Sequence, residues 1–364
     1  MSNKWLVPYV NFPKEYSLLK PKIDKRLKQV FDSGRFILGP QLKEFESSMK
    51  TYLGTDYAIG LNSGTDAMEL ALKSINVGPG DEVVTVSNTF IATLSVIVHL
   101  GAIPILVDVK EDGNIDPVLL TKAFTPRTKA LMIVHLSGKP CDMDLILANI
   151  PKGVILVEDA CQSIGAMYGN QMVGTFGIGC FSFHPLKTLS AGGDGGMLVT
   201  SNEGLAHKVT LLRNHGTLDK NTYELFGYNS RLDEIQAAIL NTKVDLLEKW
   251  IKKRIELNNI YRDALAKVPE VRLPVISKKG PSTYNSFVIR CEDRDNLKAY
   301  LEDKGIETFI HWNPPIHKQM KLPFELPITE RLSKEVLSLP IHQYLSNNQI
   351  LYISSNIKRF YGYY

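Results

Sequence analysis

Between residues 57 and 157, short apolar runs alternate with stretches in which apolar residues recur at three- and four-residue intervals. The runs 57–61, 82–86, 103–107, 130–135 and 154–157 are rich in Val, Ile and Leu and bounded by Gly, Pro or Asp, a pattern that predicts strands buried on both faces. Helical spacing separates most of them, so the expected fold is α/β around a mostly parallel sheet. In open sheets of this kind ligands bind beyond the carboxyl ends of the strands, and the residues following each run are therefore the ones to read for chemistry. Upstream, Ile23, Leu27, Val30 and Phe31 predict a helix broken at Ser33-Gly34, and Leu42, Phe45 and Met49 predict a second helix after Gly39-Pro40. The Pro-punctuated arm before them has no evident core to join and reads equally as a surface strap or a segment lying on a partner subunit. Downstream, Leu240, Val244, Leu247 and Ile251 predict one long amphipathic helix. From about Ser282 a smaller α/β unit is expected, with strands at 286–290 and 307–310 and helices near 293–304 and 329–337. The expected division is a large unit, 1–240, followed by a connecting helix and small unit, 241–364.

Composition narrows the class. An apolar fraction of 44% and a charged fraction of 22% over 364 residues are globular values, with room for a substantial core. The net charge of +4 is small and Lys and Arg are scattered, which argues against nucleic acid as a partner and leaves an anionic small molecule open. Cys141, Cys161, Cys180 and Cys291 lie far apart without a CxxC pair, the pattern of reduced thiols in a cytoplasmic protein. No apolar run approaches the roughly 18 residues of a membrane span, so a soluble protein is expected.

Four stretches carry candidate chemistry. In the segment from Cys180 to Thr200, two short apolar runs flank a loop with glycines at 192, 193, 195 and 196 and a single lysine, Lys187. Those glycines allow positive φ or close backbone approach, and a partly desolvated lysine in such a loop is a candidate Schiff-base nucleophile; a solvated loop lysine is the plain alternative. Asn62-Ser63-Gly64-Thr65 stands between the first strand and a helix near 66–73, where free N–H groups and hydroxyls form an anion cradle or where Ser or Asn merely caps the helix. Glu158-Asp159 ends the fifth strand; a carboxylate buried there requires a cation or hydrogen-bond donors opposite it, unless it caps the next segment. The stretch His311-Trp312-Asn313-Pro314-Pro315-Ile316-His317 gathers polar and aromatic groups, but its two histidines have no third ligand in a zinc-like spacing, so no metal is expected.

Together, segments 33–46 (SGRFILGPQLKEFE), 62–72 (NSGTDAMELAL), 78–93 (GPGDEVVTVSNTFIAT), 157–166 (VEDACQSIGA), 182–196 (SFHPLKTL through GDGG), 214–240 (NHG through GYNSRLDEIQAAIL) and 338–342 (SLPIH) resemble the DegT/DnrJ/StrS sugar aminotransferases. The resemblance covers nearly the whole chain. It implies the aspartate aminotransferase fold of pyridoxal-phosphate enzymes, a large domain with a mostly parallel central sheet plus a smaller C-terminal α/β domain. It implies further that Lys187 holds pyridoxal 5'-phosphate as a Schiff base, that Asp159 faces the pyridine nitrogen and that Gln162 bonds the ring hydroxyl. Ser63, Gly64, Thr65 and Ser182 match the phosphate-binding positions, and Phe90 matches an aromatic stacked on the ring, with a core aromatic as its plain alternative. Asn229 matches a residue reaching the phosphate of a neighbouring subunit, which implies a homodimer with shared sites; a turn residue is the alternative.

By the same resemblance the reaction moves an amino group from L-glutamate to a nucleotide-linked keto sugar. GDGG after the lysine looks like the 3-keto enzymes, whereas His184-Pro185 also occurs among 4-keto members. His311, Asn313 and His317 match a segment that lines the sugar pocket, with a structural role as the alternative for each, and His184 either touches substrate or supports the loop. A dehydrase of the same family would carry histidine in place of Lys187, and a cofactor-binding regulator would gain support from a DNA-binding region, of which the sequence has no sign.

Overall fold

The computed structural model describes residues 5–277 and 279–363. Its strands in chain order are β1 (Tyr57–Leu61), β2 (Glu82–Val86), β3 (Ile103–Val107), β4 (Thr128–Val134), β5 (Ile155–Asp159), β6 (Met167–Tyr168), β7 (Gln171–Met172), β8 (Ile178–Ser182), β9 (Gly196–Thr200), β10 (Thr217–Asp219), β11 (Thr222–Tyr223), β12 (Phe287–Arg290) and β13 (Val336–Leu339). Seven of them form one sheet in the order β1-β9-β8-β5-β4-β2-β3. The pairings from β3 through β8 are parallel, whereas β9 is antiparallel to both β8 and β1. Six strands thus point one way and β9 alone runs back.

Alternation along the strands buries both faces. On β4, Ala130 and Met132 join one core cluster and Leu131 and Ile133 another; on β9, Leu198 faces the first cluster while Met197 and Val199 face a third. Helices α1 (Phe12–Ser33), α2 (Pro40–Leu53), α3 (Gly64–Ser74) and α4 (Ala92–His99) precede the middle of the sheet. α3 presses Ala67, Leu70 and Ala71 on one face, and α2 presses Leu42, Phe45 and Met49 on the other.

The start of α2 is held from a distance. Glu234 is 1% exposed, and its carboxylate accepts the amides of Gly39 (2.9 Å), Gln41 (2.8 Å) and Leu42 (2.8 Å). A side chain at position 39 would meet that carboxylate, since a Cβ there lies 2.7 Å from Glu234 Oε2. Removing the carboxylate strands three donors at a helix end, so Glu234→Ala is expected to cost about 3 kcal/mol or more, read as a lower thermal unfolding midpoint.

Several expectations shift. The glycines at 192, 193, 195 and 196 have no left-handed φ. Close packing is what requires them, as a Cβ on Gly196 would lie 2.1 Å from the Ser63 carbonyl oxygen. The long helix through Leu240 and Ile251 is interrupted: a helix ends at Asn241, a 3-10 turn covers Val244–Leu246, and a second helix runs Leu247–Leu265. Lys243 sits in the gap, 3% exposed, with Nζ bonded to Glu15 (2.5 Å) and the Ser190 carbonyl (2.6 Å). Helix Pro327–Glu335 stops before 337 because Val336–Leu339 pairs with β12. Residues 307–310 form no strand; single bridges tie Ile306 to Val7 and Phe309 to Ser338. The arm does have a core to join, because Val7 is 1% exposed in a cluster with Leu257, Phe287, Ile306 and Leu339.

Candidate active site

Because β1, β5 and β8 run together and β9 returns beside them, the ends of these strands converge on one edge. Leu61 pairs with Gly196, and Gly196 with Ser182. The segments following Leu61, Asp159 and Ser182 therefore open into one cavity of about 600 Å3, whose wall includes Ser63, Gly64, Thr65, Phe90, Asp159, Gln162, Ser182, His184, Lys187 and His311. Ten sequence candidates meet there: nine end or follow sheet strands that point the same way, Phe90 among them beyond β2, and His311 comes from the C-terminal part of the chain.

Asp159 is 6% exposed. Its Oδ2 accepts the Thr93 hydroxyl at 2.8 Å and its Oδ1 the Cys161 amide at 3.2 Å, while Thr89 Oγ1 lies 2.8 Å from Thr93 Oγ1. Among the described residues no cation pairs with it. A buried carboxylate fixed by neutral donors and facing a cavity is a site for a cationic nitrogen. Lys187, half-buried on the same wall, has no acidic partner among the described residues, and its amide donates to the His184 carbonyl at 2.8 Å. Burial and Asp159 push the nearby Cys161 thiol well up, so it stays protonated.

Ser63 caps α3 by accepting the Asp66 amide at 3.0 Å. The amides of Gly64 and Thr65 follow at the positive end of the helix, where no intrahelical carbonyl reaches them. A Cβ at position 64 would stand 2.7 Å from Ser182 Cβ and 2.8 Å from Cys161 Sγ, so only glycine lets the cradle approach β8 this closely. Gln162 Oε1 accepts the Ser137 amide at 2.9 Å, which leaves its NH2 for the cavity. Phe90 is 57% exposed on the cavity wall and is not a core aromatic. His184 Nδ1 accepts the Leu186 amide at 3.2 Å, which places the proton on Nε2; burial and Lys187 lower its pKa. His311 is held at about 4 by burial and by Lys187, so its ring is neutral at physiological pH.

Three candidates lie elsewhere. His317 is 0% exposed and does not line the cavity: Nδ1 meets Ser87 Oγ at 2.8 Å just beyond β2 and Nε2 meets Glu330 Oε1 at 3.2 Å on the helix Pro327–Glu335, so both ring nitrogens are engaged away from the cavity. Asn313 is exposed outside the cavity wall. Asn229 is also off the wall of its own chain, bridged to Asn214. Sequence reasoning missed Thr93, Tyr9, Arg254 and His342, all of which line the cavity. The four-residue spacing of Thr89 and Thr93, one helical turn, was the available signal for Thr93.

The profile of the DegT/DnrJ/EryC1/StrS aminotransferase family matches residues 18–358. The chain belongs to that family. Over 361 residues it is 39% identical to the dTDP-3-amino-3,4,6-trideoxy-alpha-D-glucose transaminase of Streptomyces venezuelae, covering 97% of this chain and 95% of that protein. It is 39% identical over 370 residues to the pleiotropic regulatory protein of Geobacillus stearothermophilus, covering 98% and 99%. It superposes with a TM-score of 0.96 on the crystal structure of S. venezuelae DesV in complex with a ketimine intermediate, at 39% identity over 98% of this chain and 99% of that one. Aminotransferases of this family depend on pyridoxal phosphate. The residues present fit that group: a cation-seeking buried carboxylate, an unpaired lysine and a glycine-tight anion cradle share one cavity. Among the described residues no helix is long and apolar enough to cross a membrane.

Proposed function

We propose that this chain is a pyridoxal-phosphate-dependent aminotransferase that carries an amino group from L-glutamate to the 3-keto carbon of a nucleotide-linked sugar. The observation that carries the reading is the presence, in one cavity, of a buried Asp159 carboxylate without a cation and a Lys187 amine without an acid among the described residues. Bound there, the cofactor supplies an electron sink for the C–H bond next to its imine nitrogen. Asp159, its carboxylate's direction fixed by Thr93 and the Cys161 amide, would hold the cationic ring nitrogen. Lys187 Nζ would hold the cofactor covalently and, when free, would act as the base and then the acid for the proton moved between the two carbons. Ser63, Gly64, Thr65 and Ser182 would hold the phosphate, Gln162 the ring hydroxyl, and Phe90 the ring face. Asn229, exposed on its own chain, serves the site of a second copy in a homodimer.

The 3-keto assignment follows the GDGG loop and the 3-amino sugar named for the Streptomyces relative. A regulatory reading draws on the name of the Geobacillus relative; a cofactor-binding regulator would share the lysine and the carboxylate, so amino transfer is what separates the two. Incubation with L-glutamate and a panel of dTDP- and UDP-linked keto sugars separates the two. Aminated sugar and stoichiometric 2-oxoglutarate are expected; cofactor binding without transfer to any of the panel would leave the regulatory reading standing.

A further inference from the structure

Asp159 faces the cavity from one side of β5, and strand alternation turns its neighbour Glu158 to the other. On that other side Leu156 belongs to one core cluster, while Val157, on the Asp159 side, belongs to another. Glu158 is 0% exposed, and each of its carboxylate oxygens is engaged twice. Oε1 accepts the amides of Phe176 (2.7 Å) and Gly177 (2.8 Å); Oε2 accepts the amide of Gly174 (2.8 Å) and the ring N–H of His135 (3.0 Å). The His135 tautomer is fixed, because Nδ1 accepts the Cys141 amide at 3.0 Å and the ring proton is therefore on Nε2.

What Glu158 holds is the turn 174–177 that leads into β8. The turn lies close against its neighbours: a Cβ on Gly177 would stand 2.3 Å from the Leu156 carbonyl oxygen, and one on Gly179 2.0 Å from the Gly174 carbonyl oxygen. The ladder itself is short there. β5 and β8 share three register pairs, Val157 with Ile178, Glu158 with Gly179 and Asp159 with Cys180, against five between β4 and β5. Beyond them β8 ends at Ser182, five positions before Lys187. His135 brings in a third strand, since it follows β4 and its amide donates to the Asp159 carbonyl at 3.1 Å. The Glu158 carboxylate thus joins the end of β4, the end of β5 and the entry to β8 at one buried point, on the face of β5 opposite Asp159.

We propose that Glu158 is a positioning residue for the reaction: its four hydrogen bonds set β5 against β8, and with them the direction of the Asp159 carboxylate and the reach of Lys187. This role presupposes the cofactor reading above. Glutamine cannot take it over. Each oxygen serves two donors, so whichever one becomes an NH2 group is left facing two N–H groups. A small displacement is enough to matter, because about 1 Å of misplacement at reacting groups costs on the order of 10²-fold in rate.

The test compares wild type, Glu158→Gln, His135→Phe and His135→Gln. The apo proteins are titrated with pyridoxal phosphate and scanned for thermal unfolding; the loaded proteins are read by visible spectrum and by kcat and KM for amino transfer. Glu158→Gln is expected to weaken cofactor binding about tenfold, shift the spectrum toward the unprotonated-ring form and lower kcat about 10–100-fold, with KM for the sugar within about twofold of wild type. His135→Phe, which removes one of the four donors, moves the same quantities by less, and His135→Gln, which returns an N–H toward Oε2, recovers part of that loss. A lower unfolding midpoint with wild-type cofactor affinity, spectrum and kcat shows that Glu158 serves stability alone and overturns the proposal. Where Glu158→Gln does not fold, wild-type cofactor properties in His135→Phe overturn it equally. A wild type that binds no cofactor removes the functional reading instead, before any variant is compared.

Discussion

Lys187→Ala abolishes the visible absorbance of the covalently held cofactor and lowers kcat for amino transfer by at least about 10⁴-fold, the combined loss of covalent attachment and of the acid–base group. The position leaves no substitute. Of the titratable groups on the same wall, the Cys161 thiol is pushed well up by burial and by Asp159, and the His311 ring is held at about 4 by burial and by Lys187. The thiol keeps its proton and the imidazole is too weak a base to take one, so neither replaces the amine. Lys187→Arg is expected to be as inactive, because a guanidinium remains protonated and forms no imine. Absorbance spectra and single-turnover amino transfer from L-glutamate, on the same preparations, check both variants.

Asp159→Asn is the second large effect. A carboxylate about 4 Å from a cationic nitrogen is worth roughly 4 kcal/mol at an effective dielectric near 20, and desolvation leaves about half of that, more than one pKa unit of proton affinity at the ring. The amide keeps the shape of the side chain and loses the charge. Thr93 then donates to a neutral oxygen or meets an NH2 group, so the network that now aims Oδ2 at 2.8 Å is also weakened. We expect kcat/KM to fall about 10²–10³-fold and the spectrum of the bound cofactor to shift toward its unprotonated-ring form. Thr93→Val should move the same spectral property in the same direction by less, since it removes one donor and leaves the charge.

The parts of this site that could be read in the sequence are those governed by local rules. Strand runs ending in Asp159 and in Leu61 with Ser63-Gly64-Thr65 beyond it were visible as apolar blocks with polar punctuation, and strand direction placed their ends together. What escaped was set by distant partners. Nothing in 307–310 reveals that its neighbours are the arm at Val7 and β13, so a short apolar run looked like a ladder strand. Lys243 looks like one more helical position until Glu15 and Ser190 draw it inward and break the helix. His317 shares a polar stretch with His311, yet Ser87, 230 positions earlier in the chain, takes its Nδ1 and removes it from the cavity. The reversal of β9 escaped as well, because a buried strand carries the same apolar signature whichever way it runs.

Borohydride treatment of the cofactor-loaded protein, followed by peptide mass mapping, tests the central claim most directly. The account predicts a single reduced cofactor adduct on the peptide containing Lys187. An adduct on any other lysine, or none on a preparation that transfers amino groups, would contradict it.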